Sequence, residues 1–357
     1  MTLPTDIKQA SDALDAHVRD MVQWHFSDDT GCPFWLKWKR TAGWDPAKDI
    51  TCFDDLTRFP HFEDDWLRFE DPHDWAPASY RDRPFNIFET GGTTGMPKQR
   101  VGWDDYKQDY EEFSSRYGDD VFPRGEDWLM LGPTGPRRLR LAIEHLANTR
   151  GGSVYFIDLD PRFVKKLIAD GDVKMARRYQ EHVIDQAAII LRHRKVGCLF
   201  TTPKLLESLA QRVSIPGAGI RGAFCGGTTM TPQMVRFICE EVLEGKTRFV
   251  PTYGNTLMGL ACSRPDFADH GYSITYHAPQ PRAVLRVVDP DDTKRTVDYN
   301  QWGRVELTTM TREFFMPRFL ERDEVIRREP CDAFPWDGVG DVRPFGATSG
   351  KVIEGVY

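Results

Sequence analysis

The chain has 357 residues, of which 40% are hydrophobic and 28% are charged, the balance of a soluble globular protein with a large buried core. A formal net charge of −7 argues against a nucleic-acid-binding protein, and no apolar run is long enough to span a bilayer, so neither nucleic acid nor membrane is expected as a partner. The polar N-terminus and the seven scattered cysteines predict a reduced, cytoplasmic location and no transition-metal site.

The first predicted element is an amphipathic helix over residues 4–26, where apolar residues recur at steps of three and four. Thr5 or Asp6 is available as its N-cap. The aromatic-rich stretch from residue 35 to residue 80 shows little period and is predicted to form loops and short helices. Its tryptophans are interpreted as core and surface packing rather than as a ligand cage.

After residue 83 the pattern becomes regular, with a strand at 85–89 leading into a glycine loop and a strand at 99–103 leaving it. The helices predicted next are Asp105–Tyr117, Arg138–Thr149, Phe163–Ala169, Lys174–His193, Pro203–Arg212 and Pro232–Leu243. The strands predicted between them are Trp128–Leu131, Val154–Leu159, Cys198–Thr201, Ala223–Cys225 and Arg248–Pro251. This alternation is typical of an α/β fold, a parallel sheet flanked by helices that binds ligands at one sheet edge.

Beyond residue 265 the helical period disappears and short strands are predicted between turns. These strands are Ile274–His277, Val284–Val288, Val305–Thr308, Phe314–Phe319 and Glu324–Arg327. We therefore expect a smaller C-terminal antiparallel β-subdomain. The predicted organisation is a helical, aromatic-rich segment at 1–82, an α/β core at 83–264 and a β-rich subdomain at 265–357.

The most informative segment is the glycine loop from Thr90 to Lys98, which reads TGGTTGMPK. Its glycines let the backbone approach an anion closely, and its hydroxyls and ammonium group can bind phosphate oxygens. The loop is not of the Walker type, because Lys98 follows a proline and does not open a helix, and its glycine spacing does not match G-x-G-x-x-G. Taken alone, the loop is equally compatible with a flexible surface hairpin.

Three further segments follow the loop in order: Cys225-Gly226-Gly227-Thr228-Thr229, Thr252-Tyr253-Gly254-Asn255-Thr256 and Gly340-Asp341. Together with the loop they resemble the adenylate-forming (ANL) superfamily, whose phosphate loop differs from this one by a serine in place of Gly91. The resemblance covers residue 83 to the C-terminus. Within the superfamily it is closest to phenylacetate–CoA-ligase-like proteins, and the short length is similar to that of adenylating proteins of phenazine antibiotic biosynthesis.

The resemblance implies ATP-dependent adenylation of a carboxylic acid, giving acyl-AMP and pyrophosphate. The implied catalytic residues are Thr256 and Lys98. The residues implied to bind the ATP phosphates are Thr90, Gly91, Gly92, Thr93, Thr94, Gly95 and Lys98. Those implied to bind adenine and ribose are Gly226, Gly227, Thr228, Tyr253, Gly254 and Asp341. Each also has an ordinary structural interpretation, since glycine pairs and Gly-Asp are common in turns and a tyrosine can simply end a strand.

Two departures from the family pattern stand out. Leu257 occupies the position of a magnesium-associated glutamate, and leucine cannot bind a hard cation, so Mg²⁺ is expected to be held mainly by the phosphates, with weak magnesium dependence. The sequence also ends near where the family's mobile C-terminal domain, with its catalytic lysine, would begin. We therefore expect slow adenylation and a downstream partner, a reductase or transferase, for the second step.

The resemblance suggests an aromatic acid as substrate, such as a phenazine carboxylate, with residues 132–136 and those near Met258 as candidates for its pocket. Two alternatives remain open at this point. One is an acyl-protein synthetase that transfers the acyl group to its own Cys331, although a buried, inert thiol is the simpler interpretation. The other is a non-catalytic relative that binds nucleotide or acid without turnover.

Overall fold

The strands of this computed structural model lie in two sheets over the residues that it describes, 4–90, 95–135, 137–227 and 229–346. They are β1 (Asn86–Glu89), β2 (Gln99–Gly102), β3 (Trp128–Pro133), β4 (Val154–Leu159), β5 (Cys198–Thr201), β6 (Gly222–Cys225), β7 (Arg248–Asn255), β8 (Gly259–Ser263), β9 (Thr275–His277), β10 (Ala283–Val288), β11 (Trp302–Met310), β12 (Phe315–Arg328) and β13 (Gly338–Pro344). Within the described ranges, β1 and β2 form an antiparallel hairpin and the others form one 11-stranded sheet in the order β10-β11-β12-β13-β9-β8-β7-β6-β5-β3-β4.

Helices flank the parallel half of this sheet, and others form much of the N-terminal part of the chain. They are α1 (Pro4–Phe26), α2 (Pro33–Thr41), α3 (Pro46–Asp49), α4 (Trp66–Phe69), α5 (Asp105–Ser115), α6 (Arg138–Thr149), α7 (Pro161–Ala169), α8 (Val173–His193), α9 (Pro203–Ala210) and α10 (Pro232–Phe237). The predicted helix at 138–149 and the strands at 154–159 and 198–201 have the observed bounds. In the described ranges, no helix is long and apolar enough to cross a membrane.

Strand β7 joins the two halves of the large sheet. Its first half, Arg248–Pro251, pairs in parallel with β6, and its second half, Thr252–Asn255, pairs antiparallel with β8. The predicted α/β fold with an antiparallel C-terminal part is confirmed, and the two parts share one hydrogen-bonded sheet. Residues 252–255 therefore continue past the carboxyl end of β6, at the edge where α/β sheets bind ligands.

The antiparallel half differs from the prediction in its details. The two strands predicted at 314–319 and 324–327 are wrong, because β12 is a single strand that includes the polar residues between them. The sequence prediction also omitted β8 and β13. The charged run 321–324 does not form a turn, because Glu321 and Asp323 find partners on β7 and Glu324 accepts a hydrogen bond from Arg343.

The N-terminal segment packs against the sheet through aromatic and aliphatic side chains. Helix α1 is amphipathic as predicted, with Val18 and Met21 on its buried face. The cap prediction is wrong, because the helix already includes Thr5 and Asp6 in its first turn. Trp35 is 1% exposed and its Nε1 donates to the carbonyl of Phe315 at 3.0 Å, which confirms that these aromatic residues belong to the core.

Candidate active site

The base of the glycine loop is closed by two hydrogen bonds between Thr90 and Lys98. The Thr90 amide donates to the Lys98 carbonyl at 3.0 Å, and the Lys98 amide donates to the Thr90 hydroxyl at 3.2 Å. These residues continue the β1–β2 hairpin, so both strands hold the ends of the loop in place. The predicted phosphate-binding residues Gly91, Gly92, Thr93 and Thr94 lie outside the described residues. Gly95 has φ +98°, a conformation that suits glycine.

The structure brings this hairpin into contact with the segment that follows β7. The Thr256 hydroxyl donates to the carbonyl of Glu89, the residue before the loop, at 3.2 Å. Arg100 on β2 donates through Nη1 to the carbonyls of Thr256 at 3.1 Å and Leu257 at 2.6 Å. Two segments more than 150 residues apart in sequence, each predicted to contact phosphate, therefore lie side by side.

Leu257 points into the core and not toward the loop. Its side chain is 1% exposed, and its carbonyl accepts hydrogen bonds from Arg100 and from the Thr309 hydroxyl. The part of the chain that the structure describes contains no group of three or more histidine, cysteine, aspartate or glutamate side chains placed to hold a metal. The residues present therefore do not fit a magnesium ion ligated by protein side chains at this position.

A cavity of about 450 Å³, here called cavity A, opens beside the end of β7. Of the residues predicted to bind adenine and ribose, Gly227, Tyr253, Gly254 and Asp341 line this cavity. Thr228 lies outside the described residues. The other lining residues are Pro203, Lys204, Glu207, Thr229, Met230, Pro232, Met234, Phe237, Ile238, Thr252, Asn255, Ile274, Tyr276, Asp323, Val342, Arg343 and Pro344. The size and the mixture of aromatic and carboxylate groups are suited to a nucleoside.

Three carboxylates line cavity A, those of Glu207, Asp323 and Asp341, and only Asp341 was identified from sequence. Asp341 forms an ion pair with Arg328, Oδ2 to Nη2, at 2.7 Å. Asp323, on β12, accepts a hydrogen bond from the Tyr253 hydroxyl at 2.7 Å, and its burial raises the pKa of its carboxyl group. The alternation of Glu321 and Asp323 on one face of a strand was the sequence signal for the Asp323 carboxylate.

A second, smaller cavity of about 230 Å³, here called cavity B, adjoins the first. Its walls are formed by Tyr110, Pro133, Arg138, Leu139, Ala142, Pro161, Phe200, Thr202, Phe224, Gly226, Gly227, Thr252, Gly254, Asn255, Thr256, Gly259 and Leu260. Gly227, Thr252, Gly254 and Asn255 line both cavities. Of the region predicted to bind the acid, Pro133 lines cavity B, as do Thr256, Gly259 and Leu260 near Met258, whereas Met258 itself is 2% exposed in the core.

Lys98 is held away from both cavities by its neighbours. Its Nζ lies 3.3 Å from Asp64 Oδ1 and 4.4 Å from the ring centroid of Phe319. Burial alone would raise the pKa of Asp64, but the charges of Lys98 and Arg68 lower it below its ordinary value.

Glu321 contacts the end of β7, and its ionisation predicts a pH dependence of the stability of the protein. Asn255 donates to Glu321 Oε1 at 2.8 Å, and burial raises the pKa of this carboxyl from 4.5 to about 7. Between these pH values the folded protein keeps a proton that the unfolded chain releases, so stability falls as the pH rises. We expect wild type to lose on the order of 2 kcal/mol relative to Glu321→Gln between pH 5 and pH 8.

Urea unfolding of the two proteins at several pH values measures this difference. Glutamine keeps the acceptor for Asn255 and does not titrate, so the other titrating groups affect both proteins equally. Parallel stability curves would show that Glu321 is ionised in the folded protein throughout this range.

Gly254, which lines both cavities, has no room for a side chain. A Cβ atom there would lie inside van der Waals contact with the carbonyl oxygen of Gly259 on β8. We expect Gly254→Ala to destabilise the protein by about 1–3 kcal/mol, because the β7–β8 pair must separate. At Gly135, a Cβ atom meets no described atom within 4 Å beyond its chain neighbours, so Gly135→Ala is the control, with less than about 0.5 kcal/mol expected. Equal unfolding free energies for the two variants would contradict this packing.

Cys331 lies on the opposite face of the sheet from cavity A. Its Sγ is 3.7 Å from His277 Nε2, and His277 Nδ1 is 3.1 Å from the Trp336 carbonyl, which fixes the proton on Nδ1. On β9 the side chain of Tyr276 lines cavity A, so the neighbouring His277 side chain points to the other face. A direct transfer from cavity A to this thiol within one molecule would have to cross the sheet.

Comparisons with solved structures identify the fold. An open conformation of 2-hydroxyisobutyryl-CoA ligase, in complex with 2-HIB-AMP and CoA, matches with a TM-score of 0.67 and 15% identity, over 96% of this chain and 71% of that chain. The same ligase in the postadenylation state with R3-HIB-AMP matches with a TM-score of 0.67 and 14% identity, over 95% and 68% of the two chains. No protein-family model and no curated protein sequence matches the chain. The chain therefore shares the fold of 2-hydroxyisobutyryl-CoA ligase over most of its length.

Proposed function

We propose that this protein is an ATP-dependent adenylating enzyme that activates a carboxylic acid as its acyl-AMP and releases pyrophosphate. The observation that carries the proposal is the common wall of cavities A and B beside Thr256 and the base of the glycine loop. A nucleoside in cavity A and an acid in cavity B would meet at residues 252–256. The α-phosphate would then lie where the acid carboxylate can attack it.

The proposed reaction needs alignment and charge neutralisation rather than a general base. The acid is already ionised at neutral pH, so one of its oxygens attacks the α-phosphorus and pyrophosphate leaves. The Thr256 hydroxyl would bind the α-phosphate in place of the Glu89 carbonyl. Thr90 to Lys98 would enclose the outer phosphates, with the Lys98 ammonium leaving Asp64 to bind them.

In cavity A, the ring of Tyr253 would contact adenine and the backbone of Gly227 would line the base, whereas Gly226 lines cavity B. We assign the ribose hydroxyls to Asp323 as well as to Asp341. Asp323 is hydrogen-bonded to Tyr253, the residue proposed to contact adenine, whereas Asp341 is ion-paired with Arg328. Magnesium, when it accompanies ATP, would be held by the phosphates and water, since Leu257 offers no side-chain ligand. No step in the proposal depends on a protein-bound metal.

The aromatic lining of cavity B supports an aromatic acid as substrate. Phe200, Phe224 and Tyr110 line this cavity, and contact with aromatic side chains favours a planar ring. A phenazine carboxylate is one candidate within this class. The acyl-AMP would pass to a separate reductase or transferase.

Acid-dependent exchange of labelled pyrophosphate into ATP tests the proposal with a panel of aromatic and aliphatic acids. We expect exchange only when an acid is present, with aromatic acids preferred. ATP binding without exchange under any acid would instead favour a non-catalytic nucleotide-binding protein.

A second candidate function, transfer of the acyl group to the protein's own cysteine, is favoured by the contact between Cys331 and His277. It requires transfer between two molecules, because the thiol and cavity A lie on opposite faces of the sheet. Mass spectrometry after incubation with ATP and acid separates the candidates. An acyl adduct on Cys331 would support self-acylation, and an unmodified protein with free acyl-AMP would support the first proposal.

A further inference from the structure

Helix α9 brings two exposed charged side chains to cavity A. Its leucines Leu205, Leu206 and Leu209 are buried, so Lys204 and Glu207 lie together on its exposed face, three residues apart. Both residues line cavity A. Among the residues that the structure describes, neither the Lys204 ammonium nor the Glu207 carboxylate has a hydrogen-bond or ion-pair partner. Both groups are therefore available to a ligand.

The remaining charge in cavity A decides which kind of ligand group fits beside α9. The other charged side chains that line the cavity already have partners, namely Asp323 with Tyr253, Asp341 with Arg328 and Arg343 with Glu324. Lys204 and Glu207 together add no net charge. A neutral group that offers hydrogen-bond donors to the carboxylate fits this end of the cavity better than an anion does.

The sheet order places α9 at the end of cavity A opposite the ribose carboxylates. Asp323 on β12 and Asp341 on β13 lie on one side of β7, whereas β5, which leads into α9, lies on the other side. Tyr253 on β7 lies between the two ends. A nucleoside whose ribose binds the two aspartates and whose base contacts Tyr253 therefore extends toward α9.

The glycine segment after β6 is held against the start of α9. The Gly226 amide donates to the Thr201 carbonyl at 3.3 Å, and a Cβ atom at Gly227 would lie 3.9 Å from Cγ2 of Thr202. Helix α9 begins at the next residue after Thr202. The backbone proposed to line the base and the helix that carries Glu207 are therefore neighbours.

Two large apolar side chains occur on the neighbouring helix. Met234 and Phe237 of α10, which follows β6, are exposed and line cavity A. An apolar surface beside an unpaired carboxylate suits a flat ring with N–H donors at its edge. Adenine meets this description, because it is neutral and aromatic and carries an amino group.

On the basis of the proposed adenylation, we propose that the Glu207 carboxylate accepts a hydrogen bond from the N6 amino group of adenine. Glu207 is then a specificity-determining residue of cavity A. The amino group is on the six-membered ring, away from the nitrogen that joins the base to ribose. With the ribose at Asp323 and Asp341, it points toward α9.

Two nucleotides that differ by this amino group test the proposal directly. Purine riboside 5′-triphosphate has the ribose, the phosphates and the ring system of ATP but has hydrogen in place of the N6 amino group. We expect wild type to bind ATP about 5- to 20-fold more tightly, the effect of a hydrogen bond to a charged but exposed acceptor. Equal dissociation constants would overturn the proposal without any variant being required.

Two variants of α9 assign the preference to one side chain. Glu207→Ala removes the acceptor, so the preference for ATP is expected to fall below about twofold. Lys204→Ala removes a charge from the same exposed face and is the matched control, expected to retain the preference. Thermal unfolding verifies that both variants are folded. Retention of the preference by Glu207→Ala, or its equal loss in both variants, would contradict the role of Glu207.

GTP provides a further arm of the test. A carboxylate can also accept hydrogen bonds from the N1–H and the amino group of guanine. We expect wild type to bind ATP more tightly than GTP. Tighter binding of GTP would overturn the assignment of Glu207 to an adenine amino group.

The failure of this inference differs from the failure of the proposed function. Acid-dependent exchange supported equally well by ATP and purine riboside 5′-triphosphate, with equal affinities, overturns the role of Glu207 and leaves adenylation standing. Selective binding of ATP that depends on Glu207, without exchange under any acid, supports the role of Glu207 and contradicts adenylation. Absence of binding by both nucleotides overturns both.

Discussion

Lys98→Ala is expected to lower acid-dependent pyrophosphate–ATP exchange by about 100-fold or more. Removing one preorganised group that stabilises developing phosphate charge commonly costs a factor of about 10²–10³ in rate. Lys98 is the cation at the end of the glycine loop, and its Nζ is 3.3 Å from a single carboxylate oxygen, that of Asp64. A triphosphate carries more negative charge than this carboxylate and would draw the ammonium away from it.

Asp64→Asn is the matched control for this prediction. It removes the charge that holds Lys98 in place and leaves the ammonium free, so exchange is expected to stay within about threefold of wild type. Steady-state exchange and ATP affinity are measured for both variants, with thermal unfolding to verify that each is folded. If both variants lost exchange equally, Lys98 would act only by anchoring Asp64, and the phosphate role would be contradicted.

Arg318→Leu is expected to lower the free energy of unfolding by about 3–5 kcal/mol, the range for breaking a buried ion pair from one side. Arg318 is 4% exposed, and its Nε donates to Glu306 Oε2 at 3.1 Å. Its Nη1 donates to the Phe59 carbonyl at 2.7 Å and the Thr57 carbonyl at 3.1 Å, which ties the N-terminal segment to β12. Leucine leaves the Glu306 carboxylate and both carbonyls without this partner.

Arg322→Leu, on the same strand, is the control for Arg318. The Arg322 side chain is 57% exposed and lies 3.4 Å from Asp64, so its loss is expected to cost less than about 1 kcal/mol. Urea unfolding at neutral pH measures both. Equal stability of Arg318→Leu and wild type would show that this ion pair contributes nothing net.

The periodic parts of the chain could be predicted from sequence because hydrophobic spacing reports directly on burial. Helix α6 and strands β4 and β5 have the predicted bounds, since each presents a continuous apolar face or run to the core. Strand β12 was divided in two because Glu321 and Asp323 accept hydrogen bonds from side chains of β7, and such pairing depends on tertiary contacts that no local sequence pattern records.

The site residues that lie in contiguous sequence motifs could be predicted. Those that only the fold brings into the site could not. The loop ends Thr90 and Lys98 and the segment 253–256 were identified from sequence, and the structure places Thr256 against the base of the loop. Asp323 and Glu207 were not identified. Both lie on elements outside the motifs and reach cavity A through sheet pairing and helix packing.

The most direct test of the account is a crystal structure with a non-hydrolysable acyl-AMP analogue that carries an aromatic acyl group. We predict the nucleoside in cavity A, with the ribose hydroxyls within hydrogen-bond distance of Asp323 or Asp341, and the acyl ring in cavity B. The linker between them is predicted to contact Thr256. An analogue bound elsewhere on the protein, with residues 252–256 free of contact, would contradict the proposal that the two cavities form one adenylation site.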